Sequence, residues 1–197
     1  MTETDFPRLA LHTPRLIIRR FVFEDSAERL RLIRETFEPA YTEAENQSWL
    51  SWCILNYQEL ARLHQPPYGD YAICQPSTME VIGSVGLVPS VIPWGVFPEC
   101  RPEGTPPHFQ VSPEFGLFWT VLPAHQGQGF AFEAAQALIK FMFEGWSVQR
   151  VVATTERANV ASQRVMQKLG MKVMINPLTD PFWFEVVGVL ENPSGSA

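Results

Sequence analysis

Val121-Leu122-Pro123-Ala124-His125-Gln126-Gly127-Gln128-Gly129-Phe130-Ala131-Phe132-Glu133-Ala134 is the stretch on which the reading of this chain turns. An apolar strand over 115–121 runs into a loop whose glycines let the backbone approach a ligand closely. The loop opens directly into a helix over 129–143, with Ala131, Ala134, Ala135, Leu138 and Met142 on one face. Free amides in the first helical turn and the positive end of the helix dipole offer donors to an anion without any lysine. A P-loop would require Gly-Lys-Ser/Thr, but Gly129 is followed by Phe130-Ala131, so nothing would serve terminal phosphates and magnesium. A dinucleotide fingerprint would require a small residue where Phe132 stands. It would also need an acidic residue about 20 positions on, where Gln149-Arg150-Val151 stand. The bland alternative is a turn in which Gly127 and Gly129 only satisfy the backbone.

Outward from this loop the pattern alternates. Strands are predicted over 148–154, 171–175 and 182–190, with a helix over 159–169 between the first two, so the second half reads as a mixed sheet carrying helices. Upstream, Arg15-Leu16-Ile17-Ile18-Arg19-Arg20-Phe21 reads as a strand after Thr13-Pro14. A helix follows in which Asp25 or Ser26 caps, Leu30, Ile33 and Phe37 form the inner stripe, and Glu28, Arg29, Arg31 and Arg34 face outward. A second helix over about 43–63 should bury Trp49, Trp52, Cys53, Leu60 and Leu63 before Pro66-Pro67 stops it. Two antiparallel strands over 71–74 and 81–88 come next. Between 89 and 113 seven prolines interrupt the chain, a density that excludes a helix or an interior strand and predicts a long loop.

The 197 residues, 46% hydrophobic, suffice for one sizeable core, and a single domain over 1–197 is expected, with its core over 13–190 and a loose tail over 192–197. Fifteen Lys and Arg against twenty-one Asp and Glu leave a net charge of −6, so no general positive field draws in nucleic acid or an anionic membrane. An acidic, polar start and the lack of a long apolar run point to a cytoplasmic protein. Cys53, Cys74 and Cys100 are odd in number and unpaired in spacing, which favours reduced thiols, and His12, His64, His108 and His125 form no ligand pattern, so no metal is expected.

Gln126-x-x-Gly129-x-Ala131 is similar to the Gln/Arg-x-x-Gly-x-Gly/Ala motif of the GNAT superfamily of N-acetyltransferases. Thr13-Pro14-Arg15-Leu16-x-x-Arg19, Ile82-Gly83-x-x-Gly86-Leu87, Glu114-Phe115-Gly116 and Asn159-x-x-Ser162 leading to Lys168-Leu169-Gly170-Met171 agree in order and spacing. Together they resemble the branch containing the ribosomal-protein alanine acetyltransferases RimJ and RimL. The resemblance spans about 13–190 and implies an α/β (α+β) GNAT fold, a mixed, mostly antiparallel sheet of about 6–7 strands with helices on both faces. It further implies acetyl-CoA as co-substrate and an amine acceptor, either a small molecule or a protein N-terminus, in a monomer or homodimer.

By the same resemblance, backbone groups of Trp119, Thr120 and Val121 meet the pantetheine arm, Gln126, Gly127, Gln128, Gly129, Phe130 and Ala131 cradle the pyrophosphate, and Asn159 bonds the arm near the thioester. Ser162 matches the position that can protonate the departing thiolate, although Asn159 and Ser162 at i and i+3 could equally be an ordinary helix cap. Many relatives carry a tyrosine acid seven residues after the Asn, and this chain has Met166 there. A neutral amine attacking a thioester needs a proton acceptor; Glu114 is the candidate base, with His108 and His125 behind it, and Glu133 is expected to support the helix start. Trp49, Trp52, Trp94, Phe97 and Phe109 either line the acceptor side or belong to the core. Two functions remain open here: an acetyl-CoA-dependent N-acetyltransferase acting by direct attack in a ternary complex, or a catalytically silent acyl-CoA-binding sensor or scaffold.

Overall fold

The structure, a computed structural model, describes residues 10–66, 68–107, 111–178 and 180–194. His108 and Phe109 lie outside the described residues, as does 195–197 of the tail. In chain order the elements are β1 (Ala10–His12), β2 (Ile17–Arg20), α1 (Ser26–Thr36), α2 (Glu43–Arg62), β3 (Gly69–Cys74) and β4 (Val81–Ile92). They continue with β5 (Ser112–Val121), α3 (Phe130–Trp146), β6 (Arg150–Thr155), α4 (Val160–Lys168), β7 (Lys172–Ile175) and β8 (Val186–Glu191). The strands form one mixed sheet in the order β1-β2-β3-β4-β5-β6-β8-β7. β5 and β6 run parallel, aligning Phe115 with Val151 and Gly116 with Val152, while β6 and β7 each pair antiparallel with β8. Among the described residues eight strands are present rather than six or seven because the three-residue β1 pairs with β2, where the sequence reads only as a polar lead. No helix among the described residues is long and apolar enough to cross a membrane.

Two compact units divide the chain: Met1–Leu87 with Trp119–Phe141, and Val88–Phe118 with Met142–Ala197. In the first, β2, β3 and β4 pair antiparallel and bury Leu16, Ile18, Tyr71, Ile73, Ile82 and Val85. α2 starts at a reciprocal cap in which Thr42 Oγ1 accepts from the Glu45 amide and Glu45 accepts from the Thr42 amide. Its buried residues are Asn46, Leu50, Cys53, Tyr57 and Leu60. Trp52 and Leu63, expected inside, are 57% and 66% exposed, since the buried stripe runs through Asn46 and Leu50 and sets the helix rotation about a polar anchor.

α1 departs from expectation in the same way. It buries Arg29 and Leu32, and Phe37 faces solvent. Arg29 donates to Asn46 Oδ1 and lies over the Trp49 ring, 3.4 Å from its centroid, so a guanidinium enters the interior beside polar and aromatic partners that no hydropathy period reveals. Asp25 stands at the α1 N-cap but does not cap it through its side chain: its carboxylate takes two 2.7 Å bonds from Arg19 and one from the Val22 amide.

In the second unit the proline-rich stretch is structured. β4 continues through Pro89 to Ile92, a strand where the prolines argued against one; its pairing with β3 ends at Leu87 opposite Gly69, so Pro89 forfeits no bond on that side. Ile92, Trp94, Val96 and Phe97 then join Val152, Phe184 and Val187 in a buried cluster, with Phe97 and Phe184 5.9 Å apart edge to face. Trp94 and Phe97 are therefore core residues. The tail is tied at its first residue, where buried Asn192 donates from its side chain to Val148 O and from its amide to Gln149 O.

Candidate acyl-CoA site

In the first unit, β5 ends beside β4: the Leu122 amide donates to Ile82 O at 2.9 Å. A Cβ on Gly83 would stand 2.4 Å from Thr120 O, so the close passage of β4 along Trp119, Thr120 and Val121 depends on a missing side chain. Trp119 and Thr120 are half-buried and Val121 is buried. A short 3-10 turn over Pro123–His125 follows, and Gln126 folds its side-chain amide back onto Val121 O at 3.0 Å, tying the loop to the strand it leaves.

Gly127 and Gly129 both have left-handed backbones, at φ +74° and +84°. Nothing lies within 4 Å of a Cβ built on Gly127, so that residue borders open space. α3 begins at Phe130, and its first turn closes with the Glu133 amide on Gly129 O, which leaves the amides of Phe130, Ala131 and Phe132 without intrahelical acceptors. The Gln126 amide is taken by Pro123 O at 3.2 Å, so the donors this loop leaves at the helix start are the amides that follow it, those of the first turn of α3 among them. That donor set fits a pyrophosphate, which needs several N–H groups and little else.

Glu133 stands one turn into this helix, where a bare carboxylate would repel a phosphate. Thr13 Oγ1 donates to it at 2.6 Å, and Arg15 donates from its amide at 3.0 Å and its Nε at 2.6 Å. Burial pushes the carboxyl up, but these bonds and the Arg15 charge outweigh burial and hold it below the usual carboxylate range. Arg15 also donates to Gln128 O at 3.0 Å. The sequence places Glu133 at the helix start correctly but conceals its partner, which lies 118 residues away.

The second unit holds the other expected residues. Glu114 on β5 accepts from Trp94 Nε1 at 3.0 Å, Ser112 Oγ at 2.8 Å and Arg150 Nε at 2.8 Å, with a second, short bond from Arg150. Burial raises this carboxyl, yet the bonds from Arg150, Ser112 and Trp94 prevail and keep it below the usual range, which weakens it as a base. Asn159 caps α4, its Oδ1 accepting from the Ser162 amide at 3.0 Å, so these two residues come together while the partners of Glu114 are Arg150, Ser112 and Trp94. Half-buried Ser162 keeps its hydroxyl without a partner among the described residues. Met166 is fully buried, its Sδ 3.1 Å from where a Gly188 Cβ would stand; it fills core space. His125 is half-buried, its ring 6.2 Å from that of Phe130. Among the described residues no group of three or more His, Cys, Asp or Glu side chains is placed to hold a metal ion.

Several known proteins are similar to this chain. An N-acetyltransferase of uncharacterized role from Bacillus subtilis (strain 168), YnaD, is 41% identical over 58 residues, a match covering 29% of this chain and 34% of that protein. A solved structure described as a GNAT-family acetyltransferase from Bordetella pertussis is 26% identical, with a TM-score of 0.65, covering 94% of this chain and 99% of the other. A structure described as a ribosomal-protein-serine acetyltransferase from Vibrio cholerae superposes with a TM-score of 0.67 over 94% of this chain and 99% of its own; at 19% identity it speaks for the fold alone. The family model for the acetyltransferase (GNAT) domain matches residues 15–172, from the arginine that holds Glu133 to the first residue of β7. With that match over most of its length and the glycine cradle at the start of α3, this chain belongs to the GNAT acetyltransferases.

Proposed function

We propose that this chain transfers the acetyl group of acetyl-CoA to a primary amine, a protein N-terminus or a small-molecule amine, by direct attack in a ternary complex. The observation that carries the reading is the loop from Gln126 to Ala131, with two left-handed glycines, first-turn amides lacking intrahelical acceptors, and a neighbouring carboxylate neutralised by Arg15. When bound, acetyl-CoA supplies a thioester carbonyl that a neutral amine attacks, the C–N bond forming as the C–S bond breaks. The loop amides hold the pyrophosphate, and backbone groups of Trp119, Thr120 and Val121 take the pantetheine arm. Asn159, whose side-chain NH2 is left to donate, orients the arm, and the Ser162 hydroxyl gives a proton to the departing thiolate. We assign Glu114 a holding role and pass the proton of the amine to water, because its carboxylate is already shared among Arg150, Ser112 and Trp94. The three free cysteines fit a reducing, cytoplasmic setting.

The test is acceptor-stimulated thiol release from acetyl-CoA, followed with a thiol reagent against a panel of small amines and N-terminal peptides. At least one acceptor should stimulate release, and Gly129→Trp should abolish both release and CoA binding while circular dichroism shows the fold retained. CoA binding without stimulation by any acceptor would instead favour the silent acyl-CoA-binding module. Undiminished CoA affinity in the tryptophan variant would remove the pyrophosphate from this loop.

A further inference from the structure

We infer that Arg15 is a positioning residue for the cofactor: it locks the Gln128-Gly129 peptide plane so that the Gly129 amide faces the anion. The inference rests on the reading of the 126–131 loop as the pyrophosphate cradle.

A glycine on either side of Gln128 makes this segment the easiest part of the loop to rotate, since Gly accepts both signs of φ at little cost. In a trans peptide the carbonyl and the following N–H point to opposite sides. Whatever holds Gln128 O therefore aims the Gly129 amide. The Arg15 guanidinium holds it, through the 3.0 Å bond to Gln128 O. Three further contacts fix the guanidinium itself. Nε meets Glu133 Oε2 at 2.6 Å, the terminal Nη2 meets the same oxygen at 2.6 Å, and Cζ stands 4.6 Å from the centroid of the Phe130 ring. Glu133 is in turn held by Thr13 Oγ1 and the Arg15 amide, so the lock is anchored to the chain entering β2.

Two of the five guanidinium N–H donors are engaged in hydrogen bonds, to Glu133 and to Gln128 O, while the side chain is still 48% exposed. The unused donors and the positive charge lie beside Gly129, whose Cβ position is 3.5 Å from Arg15 Nη2. Arg15 thus has two effects on an anion in the loop, fixing the amide that receives it and placing a cation at its edge. A lysine could supply the charge but not the planar fork that spans Glu133 and Gln128 O together.

The experiment compares CoA with pantetheine, which lacks the pyrophosphate, by titration calorimetry on the wild-type protein, Arg15→Ala and Arg15→Lys. The wild type should bind CoA well ahead of pantetheine. Arg15→Ala should weaken CoA about 10–50-fold, the loss of charge-assisted bonds and of preorganisation, with pantetheine affinity within about twofold of wild type because that ligand leaves the cradle empty. Arg15→Lys should recover only part of the loss, and it serves as the reporter should the alanine variant not fold. An equal loss for both ligands, or full rescue by lysine, would overturn the locking role. Retained CoA preference in Arg15→Ala would overturn the inference while leaving the cradle in place. A wild type that binds CoA no better than pantetheine would overturn the cradle reading itself and the inference with it.

Discussion

Replacing Glu114 by glutamine keeps the size of the side chain and removes its charge. The carboxylate, 6% exposed, accepts from Trp94, Ser112 and twice from Arg150, and the amide of glutamine turns one of those oxygens into a donor facing other donors. At least one charge-assisted bond to Arg150 is lost, and the survivors become bonds to a neutral acceptor. Hydrogen bonds to charged groups contribute roughly 1.5–3 kcal/mol each, and an exposed partner recovers part of that from water. Arg150 is 39% exposed, so it rehydrates, while buried Trp94 does not. The expected cost is about 2–3 kcal/mol, which for a chain of this size lowers the melting temperature by about 4–12 °C. Thermal unfolding followed by circular dichroism gives the stability, and thiol release from acetyl-CoA with the best acceptor gives kcat. Glu114 as a holding residue predicts a lower melting temperature with kcat within about tenfold of wild type, below the 10²–10⁴-fold that a general base contributes. An unchanged melting temperature with kcat down a hundredfold or more would refute that reasoning and make Glu114 the base.

Two further perturbations test close packing and burial in the first unit. Gly83→Ala places a Cβ 2.4 Å from Thr120 O, a backbone atom that cannot swing aside, so β4 or β5 must shift; a loss of about 2–3 kcal/mol in urea unfolding is expected, and a neutral result would mean that the strands separate freely there. Asp70 on β3 has its carboxyl pushed up to about 7 by burial, against the pull of Arg29. A raised carboxyl pKa favours the folded state while protonated, so this contribution is complete below about 4 and is lost as pH rises through about 7. Asp70→Asn, fixed in the neutral form, should therefore stabilise the protein at pH 8 by on the order of 3–4 kcal/mol more than at pH 4. Equal differences at both pH values in urea unfolding would refute the shift.

Most elements were legible because their signals are local. Apolar runs bounded by turns mark β3, β4 and β6, and the cap and periodicity place α4 to within a residue or two. What escaped needed partners distant in sequence. Arg29 looks like a surface residue until Asn46 and Trp49 are seen around it, and Pro89 looks like a strand breaker until the end of β3 opposite Leu87 is known. In the loop before α3, Gly127 and Gly129 announce themselves by residue type, whereas nothing in the motif that contains Arg15 discloses that its guanidinium reaches Gln128 O and Glu133. Glu114 illustrates the reverse case: its type and position suggested chemistry, and its surroundings, Trp94 from the proline-rich stretch and Arg150 from β6, give it an anchoring environment that the residue alone does not disclose.

The contact between Arg15 and Glu133 also bears on how the chain is made. At a synthesis rate of about 5–20 residues per second, the 118 residues that separate them take about 6–24 s to emerge. β4 is complete only once residue 92 has been made; from then until β5 (112–121) follows, β2, β3 and β4 can pair while β4 waits with an open edge. Closure of Arg15 onto Glu133 thus waits until residue 133 has been made, and it marks the completion of this discontinuous unit. Nascent chains stalled before residue 133 should be captured by holdase chaperones, and chains stalled well beyond α3 should escape them.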